Sequence, residues 1–322
     1  MAVRKRFEQT RISFNRRIVR RNVITRTARI WSRLYKQLVP ELKDIARKWI
    51  EKLIKQAVQE VSAGYIETLP EIPPKFTQRL KQILREAYAQ GWWLNHLYVR
   101  ELEAAYTGRK YKGKITLADM PTDDELREIL TDFMNGEYLG EWESVIPQSA
   151  IDWLEDYTPT LAGNLSSSVL EGVREVMHNS LQTGSTLQER MKALRESAGE
   201  LSRMAESRIE SIARTEITRA DTLGRLSSMK SNDDVIGVEF SAVMDDRTTE
   251  ICQSRHGLVM RLDDPRLPEN TPPCHVRCRS VLLACTVYEY PDGLLTSHEF
   301  GEVPAGTQRA EDIAEVVKIL EV

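Results

Sequence analysis

The chain has 322 residues, of which 45 are Lys or Arg and 48 are Asp or Glu, so its formal net charge is -3. That length is enough for two domains that each bury a core. No apolar run approaches the ~20 residues that span a bilayer, and the basic residues at the start leave no room for the apolar core of a secretory signal, so we expect neither a membrane protein nor an exported one.

The charge is distributed unevenly along the chain. Residues 1–40 carry twelve Lys or Arg and a single acid, Glu8, whereas residues 101–156 carry fourteen acids. Such polarity is typical of a chain that touches an anionic partner at one end. The alternative is a solvated helix face whose arginines pair within an assembly. The candidate contacts with nucleic acid or an acidic protein surface are Arg4, Lys5, Arg6, Arg11, Arg16, Arg17, Arg20 and Arg21.

The first hundred residues have the pattern of long helices. Residues 1–40 interleave basic and apolar side chains, as in an arm or in a basic helix that packs through one face, and Pro40 predicts a break. From residue 41 to about residue 63, apolar residues recur at three- and four-residue spacing, which predicts a helix. A second long helix is predicted after the prolines of residues 70–74.

Shorter elements are predicted in the middle of the chain. Residues 107–121 are rich in turn formers and predict a short hairpin, and a capping box at residues 122–125 opens a helix through Phe133. A further helix stops at Gly184, and the capping pattern of residues 185–189 opens the next one. A long helix is then predicted from about residue 199 to residue 229.

Strand patterns first occur after residue 232. Val235–Val243 and Ser280–Tyr288 each have the pattern of a strand, and an irregular, proline-rich segment separates them. A last helix is predicted from about residue 308 to residue 320. The predicted fold class is therefore α+β and predominantly α-helical, with a region of long helices followed by a small C-terminal α+β domain with few strands. The predicted domains are a basic N-terminal arm (1–40), a helical domain (41–160) and a domain that holds the Cys/His segment and the last helix (161–322).

The four cysteines lie within 34 residues of one another and cluster with two histidines. Zinc prefers four nitrogen or sulfur ligands in a tetrahedron, and short ligand pairs separated by a loop suit that need. The predicted ligands of a structural Zn²⁺ are Cys252, His256, His275 and Cys278, with Cys274 as a substitute. The irregular segment has little apolar material, so it needs a cross-link of some kind.

Three other interpretations of this cluster stay open. The cysteines can be small buried hydrophobic residues. Cys252 and Cys278 can form a disulfide if the protein is exposed in a virion. His256, which precedes Gly257, can cap a turn.

Two more groups of polar residues need partners. Glu216, in the Ala213–Ala220 stretch of the long helix, falls near the inward stripe, where an unpaired carboxylate is costly. Arg214 and Arg219 project to different sides, so we expect a distant partner in the cysteine segment, or a position at the stripe's edge in water. Asp245, Asp246 and Arg247 follow the first predicted strand, and such a run favours a turn in which the Asp side chain bonds its own backbone. Metal binding or acid–base chemistry is the alternative.

The same residues carry a resemblance to a known family. The order is Ala213–Glu216 on a helix, a strand, Asp245–Thr248, Cys252 with His256-Gly257, and Pro272-Pro273-x-His275-x-x-Cys278-Arg279. This resembles the phage Mu F-like family of head-morphogenesis proteins, over roughly residues 165–288. In that family Asp-x-Arg-Thr is followed by two cysteines and the last motif ends in Cys-Arg-Cys. Here Thr249 and Ser280 replace two of those cysteines. The residues that the resemblance marks as structural are Arg214, Thr215, Glu216, Asp245 and Arg247.

The resemblance implies a non-enzymatic minor capsid protein of a tailed bacteriophage or prophage. Such proteins associate with the portal inside the head of the virion, after assembly in the host cytoplasm, and assist procapsid assembly, viral genome packaging or DNA delivery. The partners it implies are the portal protein and also packaged DNA, scaffold or major capsid protein, with no membrane. Some relatives carry an effector enzyme after this domain, but the stretch after Tyr288 is too short for one. The alternative function is a metal-dependent, nuclease-like enzyme that uses the Asp, His and Cys residues of the segment.

Overall fold

Four long helices account for most of the described part of the chain. The computed structural model describes residues 2–63, 70–108, 148–183, 185–292 and 294. The long helices are α1 (Ala2–Ala63), α2 (Pro74–Thr107), α3 (Gln148–Gln182) and α4 (Leu187–Lys230). They are followed by β1 (Val235–Ser241), α5 (Glu250–Arg255), β2 (Val259–Arg261), a 3-10 turn (Pro268–Asn270) and β3 (Val281–Thr286). The predominantly helical α+β class is confirmed.

Helix α1 continues through Pro40, so the predicted break there is wrong. A proline inside a helix removes one backbone hydrogen bond and crowds the preceding turn. Pro40 is exposed, whereas Leu38, Val39 and Leu42 around it are buried. Burial on both sides therefore keeps the two halves in one helix, and the carbonyl that loses its hydrogen bond can be solvated.

The long helix α4 begins at its capping box and includes the residues expected to form two helices. The Thr186 backbone N–H donates to Glu189 Oε2 at 2.7 Å, and the Glu189 N–H donates to Thr186 Oγ1 at 3.3 Å. These bonds satisfy donors at the helix start, and the one from the Thr186 backbone holds the pKa of Glu189 below its ordinary value. The predicted second start near residue 199 is wrong, because Gly199 lies on an exposed face within the same helix.

The chain divides into two units, each made from several stretches. The first comprises Met1–Arg33, Leu84–Ile151 and Thr215–Val322, and the second comprises Leu34–Ile83 and Asp152–Arg214. The expected boundaries at residues 40 and 160 stay a prediction. The expected hairpin, the helix of residues 122–133 and the last helix lie outside the described residues.

The second unit is a helical packing with charged pairs at its rim. Buried residues of α1, α2 and α4 include Leu53, Leu80 and Leu201. At the rim, Lys43 Nζ lies 2.5 Å from Glu210 Oε1, and Arg47 donates to Glu206 at 2.7 Å. Apolar burial supplies the larger share of stability here, since partly exposed ion pairs contribute little.

In the first unit, α2 and α4 cross at two glycines. A Cβ added at Gly91 would overlap the backbone of Asp221, and one added at Gly224 would overlap the backbone of Tyr88. Each glycine therefore lets the other helix approach closely. Beside the crossing, Arg225 Nε donates to Asp221 Oδ2 at 2.7 Å and Arg225 Nη2 donates to Thr27 Oγ1 at 2.6 Å, all in the buried interior.

Among the described residues of the first unit, three antiparallel strands form a sheet in the order β2-β1-β3. Every residue of β3 is buried, which agrees with its continuous apolar run. Both predicted strands are confirmed. Strand β1 ends two residues earlier than predicted, and β3 begins one residue later and ends two residues earlier. Strand β2 was not expected, because three residues carry no readable period.

Candidate functional site

The Cys/His segment, residues 242–280, runs between β1 and β3. It contains α5, β2 and the 3-10 turn, and then a cis Pro272-Pro273 bond and a tight turn at Arg277, whose φ is 60°. The buried Arg255 joins its two halves, because Arg255 Nε donates to Asn270 Oδ1 at 2.9 Å. Polar bonds between loops therefore add to the apolar burial of Leu258, Met260 and Leu267 in this segment.

Two buried threonines of helix α4 hydrogen-bond to the tight turn at Arg277. The Arg277 backbone N–H donates to Thr215 Oγ1 at 3.0 Å, and the Thr218 hydroxyl donates to the Cys278 carbonyl at 3.0 Å. Thr215 and Thr218 lie one turn apart on the same helix face. The Cys/His segment therefore docks on the helix that carries the Ala213–Glu216 motif.

Three side chains from this segment converge on one point. Cys252 Sγ lies 3.2 Å from His275 Nε2 and 3.7 Å from Cys278 Sγ. The ligand atoms of these three residues all lie within 4.8 Å of one another. Cys274 also contacts the Cys252 thiol. All four cysteines, which lie within the described part of the chain, are buried, and none of them is joined to another by a disulfide.

Hydrogen bonding among the three neighbouring thiols shifts their pKa values in opposite directions. Contacts from Cys274 and then from Cys278 lower the pKa of Cys252 well below its ordinary value. The same contacts with Cys252, together with burial, raise the pKa of Cys274 and of Cys278. Cys252 is therefore the sulfur that this cluster favours as a thiolate, because its neighbours donate to it.

His256 does not join this cluster in the structure. It follows α5, and its Nδ1 accepts a hydrogen bond from the Ala242 backbone N–H at 3.1 Å. Gly257 follows with a φ of 83°, and its N–H donates to the Phe240 carbonyl at 2.9 Å. His256 thus has the place of a residue that caps a turn.

The turn after β1 is confirmed, and it has an additional partner. Asp245 Oδ1 accepts from the Arg247 backbone N–H at 3.0 Å, as a turn-forming Asp does. Arg279 binds both Asp245 oxygens, at 2.7 and 2.5 Å, and this pairing holds the pKa of Asp245 well below its usual range. The Arg247 side chain is largely exposed and lies 3.6 Å from Asp245. The Asp245 carboxylate therefore ties the start of the segment to its end.

Comparison with known protein families matches residues 171–283 to the family described as Phage Mu protein F like protein. Residues 171–283 are therefore similar to the phage Mu F-like family. The match covers about a third of the chain and includes the two threonines, the turn and the Cys/His segment. No curated protein and no solved structure matches the chain.

The Mu F-like family is a structural family of phage head morphogenesis, and the similarity of residues 171–283 to it suggests a role in the phage head and a place in the virion. Among the described residues, no helix combines the length and the apolar character needed to cross a bilayer.

Within the Mu F-like region, Glu216 is buried, but its expected distant partner is wrong. Arg219 Nε donates to Glu216 Oε2 at 2.8 Å, and both side chains are 4% exposed. The two residues are one turn apart, so a single helix supplies both charges. The alternative position in water is also wrong. Arg214 projects elsewhere, and its guanidinium lies 4.0 Å over the ring of Tyr35.

Of the candidate cationic contacts, two have described side chains. Arg20 is half-buried and binds Glu239 through both guanidinium nitrogens, at 2.8 and 2.5 Å, with Glu289 at 3.9 Å. Arg21 is exposed. The side chains of Arg4, Lys5, Arg6, Arg11, Arg16 and Arg17 lie outside the described residues. Arg20 thus pairs with acidic residues of its own chain, and the contacts expected of the other basic residues stay a prediction.

Sequence reasoning missed several residues that build the Mu F-like site. Thr218, Arg255 and Arg279 each make a buried or half-buried polar bond across the segment. One signal was available for Arg279, since it directly follows Cys278 in the matched motif. The others contact residues distant in the chain, and no local pattern marks such contacts.

Proposed function

We propose that this protein is a minor component of a tailed-phage head that associates with the portal inside the head. It assists procapsid assembly, DNA packaging or DNA delivery. The observation that carries the proposal is the Mu F-like match over a segment whose polar side chains pair with one another. The finer statements about the portal and DNA rest on the family's character and on the charge of the N-terminus.

The internal pairing of the segment favours a scaffold over an enzyme. Asp245 has both oxygens bound by Arg279, and Glu216 is paired with Arg219 in the buried interior. A metal-dependent nuclease needs an open coordination position and an available general base. Asp245 and Glu216 instead have protein partners, which suits a rigid surface for assembly. Asp246, the other carboxylate of the nuclease alternative, is exposed.

The cationic N-terminus gives this scaffold an electrostatic means of reaching an anionic partner. Six basic residues precede residue 18, while Arg20 is already bound by Glu239. Contacts of Lys and Arg with phosphates or with an acidic protein face are independent of base sequence and are weakened by salt. We propose packaged DNA or the portal as the partner of residues 4–17.

Incorporation into heads tests the main proposal. A tagged chain expressed during infection by its phage should co-purify with procapsids and with the portal protein. A matched chain with Thr215→Val and Thr218→Val should enter heads less efficiently, because the tight turn loses its support from α4. A chain that is folded and abundant yet absent from heads and from portal complexes would contradict the proposal.

Charge neutralisation tests the N-terminal contact. A deletion that extends into the buried part of α1 would remove residues such as Val23 and Thr27. The variant therefore keeps the full chain and replaces only the six basic residues of positions 4–17 with Gln. We expect weaker binding to duplex DNA or to isolated portal at low salt. For DNA, the slope of the logarithm of affinity against the logarithm of salt concentration should become shallower, by the equivalent of up to about six phosphate contacts. The readout is fluorescence anisotropy across a salt series.

The control for that experiment removes the same number of charges elsewhere. Six exposed basic residues of the second unit are replaced by Gln: Lys52, Lys55, Lys75, Arg174, Arg195 and Arg203. If the two variants bind DNA and portal alike, the loss follows net charge alone and the N-terminal contact is wrong. Binding to portal without binding to DNA, or the reverse, identifies the partner.

A further inference from the structure

We propose that Cys252, Cys274, His275 and Cys278 form a closed, structural Zn²⁺ site, and that His256 is not one of its ligands. Cys252, His275 and Cys278 belong to the set expected from spacing, and Cys274 takes the place of His256. The proposal concerns the isolated chain and does not depend on the role in the head.

The distances within the cluster fit a tetrahedral zinc ion. Zn–S bonds of about 2.3 Å and a Zn–N bond of about 2.0 Å at tetrahedral angles place two sulfurs about 3.8 Å apart and a sulfur about 3.5 Å from a nitrogen. The observed separations are 3.7 Å for Cys252 Sγ to Cys278 Sγ and 3.2 Å for Cys252 Sγ to His275 Nε2. The fold alone therefore brings two of the three ligand pairs to nearly the spacing that the metal requires, and the third pair lies within 4.8 Å.

The orientation of His275 is a second, independent indication. His275 Nδ1 lies 2.9 Å from the Val276 carbonyl oxygen, which can only accept a hydrogen bond, so Nδ1 donates to it. The proton on Nδ1 leaves the lone pair on Nε2, and Nε2 is the atom that faces Cys252. Histidines that bind metals commonly donate their other ring N–H to a backbone carbonyl in this way.

Cys274 is the proposed fourth ligand because its buried thiol neighbours the Cys252 thiol. Its sulfur lies outside the three converging ligand atoms, so its side chain would rotate to reach the metal. His256 has its Nδ1 bound to the Ala242 backbone N–H, outside the group of converging ligand atoms. A set of three cysteines and one histidine is an ordinary composition for a structural zinc site.

A zinc ion at this point would join α5 to the tight turn of residues 274–278. Those two pieces are separated in the chain by a loop whose regular structure is one short strand and one 3-10 turn. Four protein ligands leave no position for substrate or water, so the ion would be structural. The ion would hold α5 against the tight turn, which also donates a hydrogen bond to Thr215 and accepts one from Thr218 of α4.

Metal analysis of the full chain, purified under reducing conditions, tests the proposal. We expect about one zinc ion per chain, retained on dialysis and released by a thiol-modifying mercurial. Cys274→Ser should lose stoichiometric zinc, whereas His256→Ala and Cys285→Ser should retain it. Cys285 is a matched control because it is equally buried but lies on β3, outside the cluster.

Two results overturn the proposal. A wild-type chain without stoichiometric zinc, even after incubation with Zn²⁺ and a reductant, would mean buried thiols or an oxidisable pair. Loss of zinc in His256→Ala with retention in Cys274→Ser would restore the histidine as the ligand.

A spectroscopic measurement keeps the test valid if Cys274→Ser fails to fold. The wild-type chain is loaded with Co²⁺ in place of zinc. Intense visible absorption of a tetrahedral site, with thiolate charge-transfer bands whose strength indicates three sulfurs, supports the proposed set. A weak, octahedral spectrum, or bands that indicate two sulfurs only, contradicts it.

Discussion

Two regions of the first unit achieve order by different means. At the crossing of α2 and α4, backbones approach through Gly91 and Gly224, and a single buried ion pair lies beside them. The Cys/His segment buries Leu258, Met260 and Leu267, but its loops are joined to one another by hydrogen bonds, a bidentate ion pair and a thiol cluster.

The difference teaches where each region is sensitive. A close helix crossing depends on shape, so added volume or an unpaired buried charge should destabilise the whole unit. A segment held by separate polar bonds should lose order locally, because each bond contributes only about 1 kcal/mol. Mutations that separate global from local effects therefore test this contrast.

The largest effect is expected for the buried ion pair at the crossing. Asp221→Ala leaves Arg225 charged in the interior without its carboxylate. Removing one partner of a buried pair typically costs about 3–5 kcal/mol. The free energy of unfolding, measured by urea denaturation, should fall by that amount.

Glu200→Ala on the exposed face of the same helix is the control for that measurement. It should change the unfolding free energy by less than about 0.5 kcal/mol. Equal effects of the two substitutions would mean that the crossing does not depend on its ion pair.

A smaller but still global effect is expected from added volume at the crossing. Gly224→Ala places a methyl group against the Tyr88 backbone, which cannot move as a flexible side chain does. Overpacking of this kind costs about 1–3 kcal/mol. The measurement is again the free energy of unfolding.

Gly199→Ala in the same helix has the opposite expected sign. No atom lies within 4 Å of a Cβ added there, so the substitution should stabilise by roughly 0.5–1 kcal/mol through helix propensity alone. If both alanines stabilise the protein, the close approach of α2 and α4 is not a constraint.

The helical region was largely predictable from sequence, and its errors share one cause. The apolar stripes of α1 and α2 identified their buried faces, since a period near 3.6 residues reflects burial directly. Pro40 and Gly199 suggested boundaries because each has a poor helix propensity. The tertiary burial of neighbours outweighs a local propensity of that size.

The site was predictable as a cluster but not in its pairings. Their spacing in the sequence predicted that Cys252, His275 and Cys278 lie together. Spacing could not decide whether Cys274 or His256 is the fourth member of the cluster. The Glu216–Arg219 pair was within reach of helix geometry, since residues three apart share a face. The contacts of Thr218 and Arg279 link distant parts of the chain, which no single-sequence pattern encodes.

The smallest global effect is expected where the segment meets α4, and there the readout should be local. Thr218→Val keeps the shape of the side chain but removes its hydrogen bond to the Cys278 carbonyl. The loss of one buried bond costs about 1 kcal/mol. We expect the segment to open separately from the crossing. The rate at which a thiol reagent modifies Cys278 in metal-free protein should then rise by a larger factor than the loss of global stability accounts for. Ser207→Ala, exposed on the same helix, should leave both unchanged. A Thr218→Val protein in which thiol reactivity changes only as far as global stability does would show that the segment and the crossing unfold as one unit, and the contrast between them would fail.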